Sequence, residues 1–73
     1  MSPRLPRVTA REVQRAFERH GFQVVRQKGS HRILRDDTGR RVTIPHHPGK
    51  IIHPRILAII MDEAGLAEDD FAN

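Results

Sequence analysis

The sequence predicts an α+β fold of order α-β-β-β-α, a three-stranded antiparallel sheet with both helices on one face. Three observations predict it. A capping signature at Thr9 opens a stretch with apolar residues at helical spacing. Beyond Gly21 the apolar period falls from 3.6 to 2, broken by two turn signals. A proline and a glycine then bracket a second, strongly apolar helix.

Each element has a local cause. In T-A-R-E, Thr9 to Glu12, the hydroxyl can accept from the third helical N–H while Glu12 reaches back, a capping box. Val8 and Val13 stand where a hydrophobic staple belongs. Val13, Ala16 and Phe17 form the buried stripe of a helix over residues 10–20, with Arg11, Arg15 and Arg19 on other faces and Gly21 as its stop. F-Q-V-V-R-Q reads as a strand, K-G-S as a turn and H-R-I-L-R as a second strand. D-D-T-G, Asp36 to Gly39, is a hairpin signal, and R-R-V-T-I-P is a third strand. Val42 and Ile44 share one face of it, Arg41 and Thr43 the other. Ile33 and Leu34 are both apolar, so the pattern leaves open which face His31 takes.

H-H-P-G-K is a loop. Pro54 suits the first turn of a helix with His53 at the N-cap, and Gly65 ends it, with Leu66 placed to pack back on Met61. Ile56, Leu57, Ile59, Ile60 and Met61 cover much of this helix, enough for both a sheet and a partner. The whole chain, 1–73, reads as one domain, with residues 1–8 an extended lead-in around Pro3 and Pro6. Residues 67–73 are an acidic tail anchored by Phe71.

Composition narrows the function classes. The chain has no cysteine, which removes disulfide frameworks and thiolate metal sites and makes a reducing cytoplasm the expected location. The N-terminal residues lack the apolar core of a secretory signal, and Ile56 to Met61 is too short to span a bilayer. The net charge of +4 hides an asymmetry. All 13 Lys and Arg lie in residues 1–55 against four acids, whereas residues 56–73 hold five acids and no base. A basic body of this kind suits a polyanion, nucleic acid above all. The only aromatic residues, Phe17, Phe22 and Phe71, look like packing residues, so backbone recognition suits the chain better than base stacking.

Q-K-G-S-H-R-I, Gln27 to Ile33, is the stretch with chemical content. RNA can be cleaved without a metal if a base deprotonates the 2′-hydroxyl, which then attacks the adjacent phosphorus. Charge building on the phosphoryl oxygens needs donors. His31 is the candidate base. Arg26, Lys28 and Arg32 can bind the phosphate, and the N–H groups of Gly29 and Ser30 add an anion-binding concavity. Read alone, His31 is more readily a turn histidine without a chemical role than a catalytic base. Arg35 and Arg41, beside Arg40 at the hairpin, either track an RNA backbone or keep a sheet edge soluble. His46, or His47 beside it at the end of the third strand, and Lys50 in the loop are further candidate phosphate contacts. His46, His47 and His53 lack an acid or thiol to complete a metal site, so no metal and no cofactor are expected.

Taken together, G-F-Q-V-V-R-Q-K-G-S-H-R-I, V-T-I-P-H-H-P-G-K-I-I and L-A-I-I-M-D-E-A-G-L-A-E-D-D-F resemble the HicA toxins, the YcfA-like mRNA interferases. The resemblance runs from Thr9 to Phe71. It implies a double-stranded-RNA-binding-domain-like fold and a metal-independent endoribonuclease that cuts mRNA and arrests translation, with His31 at the catalytic histidine position. It implies a HicB-type antitoxin that binds the toxin and covers that histidine. One departure stands at the second helix, where His53 and Pro54 replace the family's usual Gly-Thr pair. Two other readings fit the same residues: a non-catalytic RNA-binding module with His31 as a contact, and an interaction domain docking through its apolar second helix.

Overall fold

The computed structural model describes residues 7–67. The expectations for residues 1–6 and for the tail beyond Ala67, including the Phe71 anchor, lie outside them. The order is α1 (Ala10–Arg19), β1 (Gln23–Lys28), β2 (His31–Arg35), β3 (Arg41–Pro45) and α2 (Pro54–Ala64), the α-β-β-β-α arrangement expected. The strands form one antiparallel sheet in the order β1-β2-β3.

Local chemistry sets the element ends. Thr9 and Glu12 form the reciprocal capping box of α1, with the Glu12 carboxylate taking the Thr9 N–H at 3.0 Å. That backbone bond and the Thr9 hydroxyl, assisted by the charge of Arg15, hold Glu12 below the usual carboxylate range. At the other end Gly21 has φ 89° and Phe22 N–H donates to Phe17 O at 3.0 Å. The two phenyl rings lie 5.3 Å apart, the apolar contact that accompanies such a helix stop. The end of α2 repeats the pattern, with Gly65 left-handed and Leu66 N–H donating to Met61 O at 2.9 Å. Pro54 opens α2, and the His53 ring caps it, Nδ1 accepting from the Arg55 N–H at 3.1 Å.

The β2–β3 turn is organised by one carboxylate. Asp36 accepts from the N–H groups of Thr38 and Arg40 and from the Thr38 hydroxyl, at 3.0, 2.8 and 2.8 Å. Desolvation pushes this acid up, but the Thr38 hydroxyl, the two N–H donors and the Arg40 charge outweigh it and leave it lowered. Arg40 itself turns away from the sheet and donates to Ala64 O at 3.0 Å, satisfying a carbonyl at the end of α2.

Val13, Phe17, Leu34, Val42, Ile44, Leu57, Ile60 and Ala64 are all at most 2 % exposed and belong to one cluster, so both helices cover the same sheet face. The lead-in joins them through a Thr9–Ile51 bridge and an Ile52 N–H donating to Val8 O, which brings the starts of α1 and α2 together. The helices sit nearest β3. In consequence β1 overhangs, and all six of its residues are exposed.

Candidate functional site

Antiparallel pairing decides which residues meet on the uncovered face. Leu34 points into the core, so the strand period of two sends His31, Ile33 and Arg35 to the other side. In β3 the buried Val42 and Ile44 likewise put Arg41 and Thr43 on the open face. His31 stands opposite Pro45, Ile33 opposite Thr43 and Arg35 opposite Arg41.

β1 joins this face through an irregularity. Val24 pairs with Leu34 but Arg26 pairs with Ile33, which leaves Val25 as an extra residue without a partner. The bulge resets the alternation, so that Arg26 and Lys28 stand on the side of His31, with Lys28 directly across from it. Cross-strand neighbours on one face stand about 4.5–5.5 Å apart at Cβ. The open face thus carries Arg26, Lys28, His31, Arg35 and Arg41, all exposed, and its three strands contain no acid. Arg35 directly opposite Arg41 is a like-charge pair, a placement that costs stability.

The turn before His31 has two residues. Gly29 has φ 58° and Ser30 lacks a positive φ, the pattern of a type II′ hairpin turn with glycine first. The Ser30 carbonyl accepts the His46 N–H, which ties the end of β3 to this turn. His31 is therefore fixed at one end of the sheet by two neighbouring strands, with its ring in solvent.

One expected partner is not there. Arg32 lies on the helix-covered side of β2, opposite Ile44, and its Nη1 donates to Gln14 Oε1 on α1 at 2.6 Å. The strand period that exposes His31 turns its neighbour the other way, so Arg32 cannot stand beside His31 over one phosphate. Alternation alone was enough to foresee this. Arg32 instead lines a recess of about 450 Å³ with Thr9, Ala10, Arg11, His46, His47, Pro48 and Gly49. His46 thus belongs to this recess rather than to the open face. Arg11, outside the expected set, is brought into it beside His47 only by the packing of α1 against the loop after β3. Lys50 lies on a different wall, in a shallow apolar recess of about 230 Å³ with Ile51, Ile52 and Ile56.

His53 is engaged as the α2 cap. Among the described residues no three of the His, Asp and Glu side chains come together in a metal-binding group. Also among them, no helix is long and apolar enough to cross a membrane.

The fold and this site define a small α+β domain whose sheet is covered on one side and left open and cationic on the other. The model of the HicA toxin family of bacterial toxin–antitoxin systems matches residues 10–66, from the first residue of α1 to the residue that closes α2. The chain belongs to this family, as the toxin half of a toxin–antitoxin pair. No curated protein matches it.

Proposed function

We propose that this toxin is a metal-independent endoribonuclease that cleaves mRNA, with His31 as its general acid–base. The observation that carries the reading is the open sheet face: one exposed imidazole at its end, Lys28 directly across, and Arg26, Arg35 and Arg41 on the same surface with no acid among them. A polyanionic strand meets that face favourably, and its phosphates lie against the cations.

The reaction follows from the imidazole. Neutral His31 takes the proton of a ribose 2′-hydroxyl, and the 2′-oxygen attacks the adjacent phosphorus. The bond to the 5′-oxygen breaks, leaving a 2′,3′-cyclic phosphate on one fragment. The departing oxygen gains its proton from the imidazolium or from water, giving a 5′-hydroxyl on the other. Lys28 and Arg26 stabilise the negative charge that grows on the phosphoryl oxygens. Gly29 and Ser30 set the turn that aims His31. Arg35 and Arg41 hold the strand further along the sheet. The antitoxin partner, of HicB type, silences the enzyme by covering His31.

The test is incubation of the purified chain with labelled RNA in a chelator. Fragments ending in cyclic phosphate are expected, and His31→Ala should lose about 10²–10⁴-fold in rate or more while keeping its circular dichroism. Intact RNA in a retarded complex would instead reveal a binding module, and a fully active His31→Ala chain would remove the role given to the ring.

A further inference from the structure

Behind His31, on the other side of the sheet, lies the recess between the first turn of α1 and the loop after β3. Its lining includes two guanidinium groups, Arg11 and Arg32, and two imidazoles, His46 and His47, and among the described residues it includes no carboxylate. The acid nearest in sequence, Glu12, is occupied by the Thr9 N–H and hydroxyl at 3.0 and 3.1 Å. Arg32 is half-buried and lines the recess, and its Nη1 is held by Gln14 Oε1, which fixes the guanidinium in place. Planar guanidinium forks suit the oxygens of a phosphate group.

We propose that this recess is a second anion subsite that holds a backbone phosphate of the RNA strand being cut, with Arg11, Arg32, His46 and His47 as its donors. The inference rests on the RNA-cleaving reading above and adds a subsite to it. Position favours RNA as the source of the phosphate. Arg32 follows His31 directly in β2, Pro45 faces His31 across the ladder, and His46 is tied to Ser30. The recess and the imidazole therefore share one end of the sheet, on opposite sides of it. A strand passing over that end meets the scissile site first and the recess next. Holding a neighbouring phosphate there fixes the register of the strand against the imidazole, which is what phosphate contacts do in nucleic-acid complexes.

The experiment uses the full chain with His31→Ala, so that RNA is bound and not cut. Affinity for a labelled single-stranded RNA is measured against salt for this protein and after adding Arg11→Gln or Arg15→Gln. Both arginines are exposed on α1, but only Arg11 lines the recess. Arg11→Gln should weaken binding several-fold and reduce the slope of log K against log salt by about 0.7, the value of one lost phosphate contact on a single strand. Arg15→Gln should leave that slope in place. In a second arm, inorganic phosphate added to the same protein should shift the ring resonances of His46 and His47, and Arg11→Gln should blunt the shift.

Equal slopes for all three proteins, or equal losses from Arg11→Gln and Arg15→Gln, would overturn the subsite and leave the cleavage reading standing. Phosphate shifts without any effect of Arg11 on RNA would overturn it too, reducing the recess to a site for free anions. A chain that binds no RNA even at low salt would sink both proposals together.

Discussion

The two sides of strand β2 are opposite in character. Leu34 and Arg32 face the helices, while His31, Ile33 and Arg35 face away from them. The covered side is where stability resides, in side chains with almost no solvent contact. The open side carries charge that repels itself and an exposed imidazole. This toxin therefore keeps its packed core and the cationic face proposed to meet RNA on opposite sides of the same five residues. Neighbouring positions should respond to substitution in opposite ways.

The largest effect should come from the covered side. Leu34→Ala removes a side chain at 0 % exposure and should cost about 2–5 kcal/mol in urea unfolding. Ile33→Ala, one residue along, should cost less than half as much. Similar losses at both positions would break the assignment of the two sides.

The next pair sharpens it. Arg40 donates to Ala64 O, so Arg40→Gln should lose about 1 kcal/mol of stability. Its neighbour Arg41 faces Arg35 on the open side, and Arg41→Thr should relieve that repulsion and gain roughly 0.2–1 kcal/mol. The same Arg41→Thr change should weaken RNA binding at low salt, so one substitution raises the unfolding midpoint and lowers affinity. A stability loss at Arg41, or no loss of affinity, would contradict the division of labour. Gly65→Ala belongs to the stabilising side. It forces a side chain into a left-handed residue and against the Arg40 guanidinium, at a cost of about 1–2 kcal/mol.

The smallest effect is that of acid. Glu12 and Asp36 are both lowered in the folded chain, and both hold turns or caps rather than the open face. Their contribution is complete above the ordinary carboxylate range, about pH 4, and drains away as pH falls through the lowered values. The urea midpoint should therefore drop between pH 5 and pH 3, about where carboxylates titrate. Glu12→Gln with Asp36→Asn should flatten that drop. An unchanged pH dependence in the double variant would mean that other acids govern it.

Much of this was legible in the chain. The Thr9–Glu12 box, the Gly21 and Gly65 stops, the Asp36–Gly39 turn and the Pro54 start are all interactions within a few residues. They declare themselves wherever those residues occur. His31 was legible as a candidate because its turn is written in G-S-H. Its surroundings were less so. Arg26 and Lys28 share its side only through the Val25 bulge, and nothing in V-V-R-Q-K marks which valine is the extra one. Arg32 was misplaced beside His31 although strand alternation forbids it.

Order, caps and turns were thus settled by neighbours along the chain, because hydrogen bonds closing over three or four residues need no distant partner. Which side of the sheet is left open was decided only when α1 and α2 packed. Both Ile33 and Leu34 are apolar enough to be buried, and only the helices, seated on Leu34, Val42 and Ile44, leave His31 in solvent. The recess joining Arg11, Arg32, His46 and His47 has the same origin: its walls lie far apart in sequence and meet only in the folded chain.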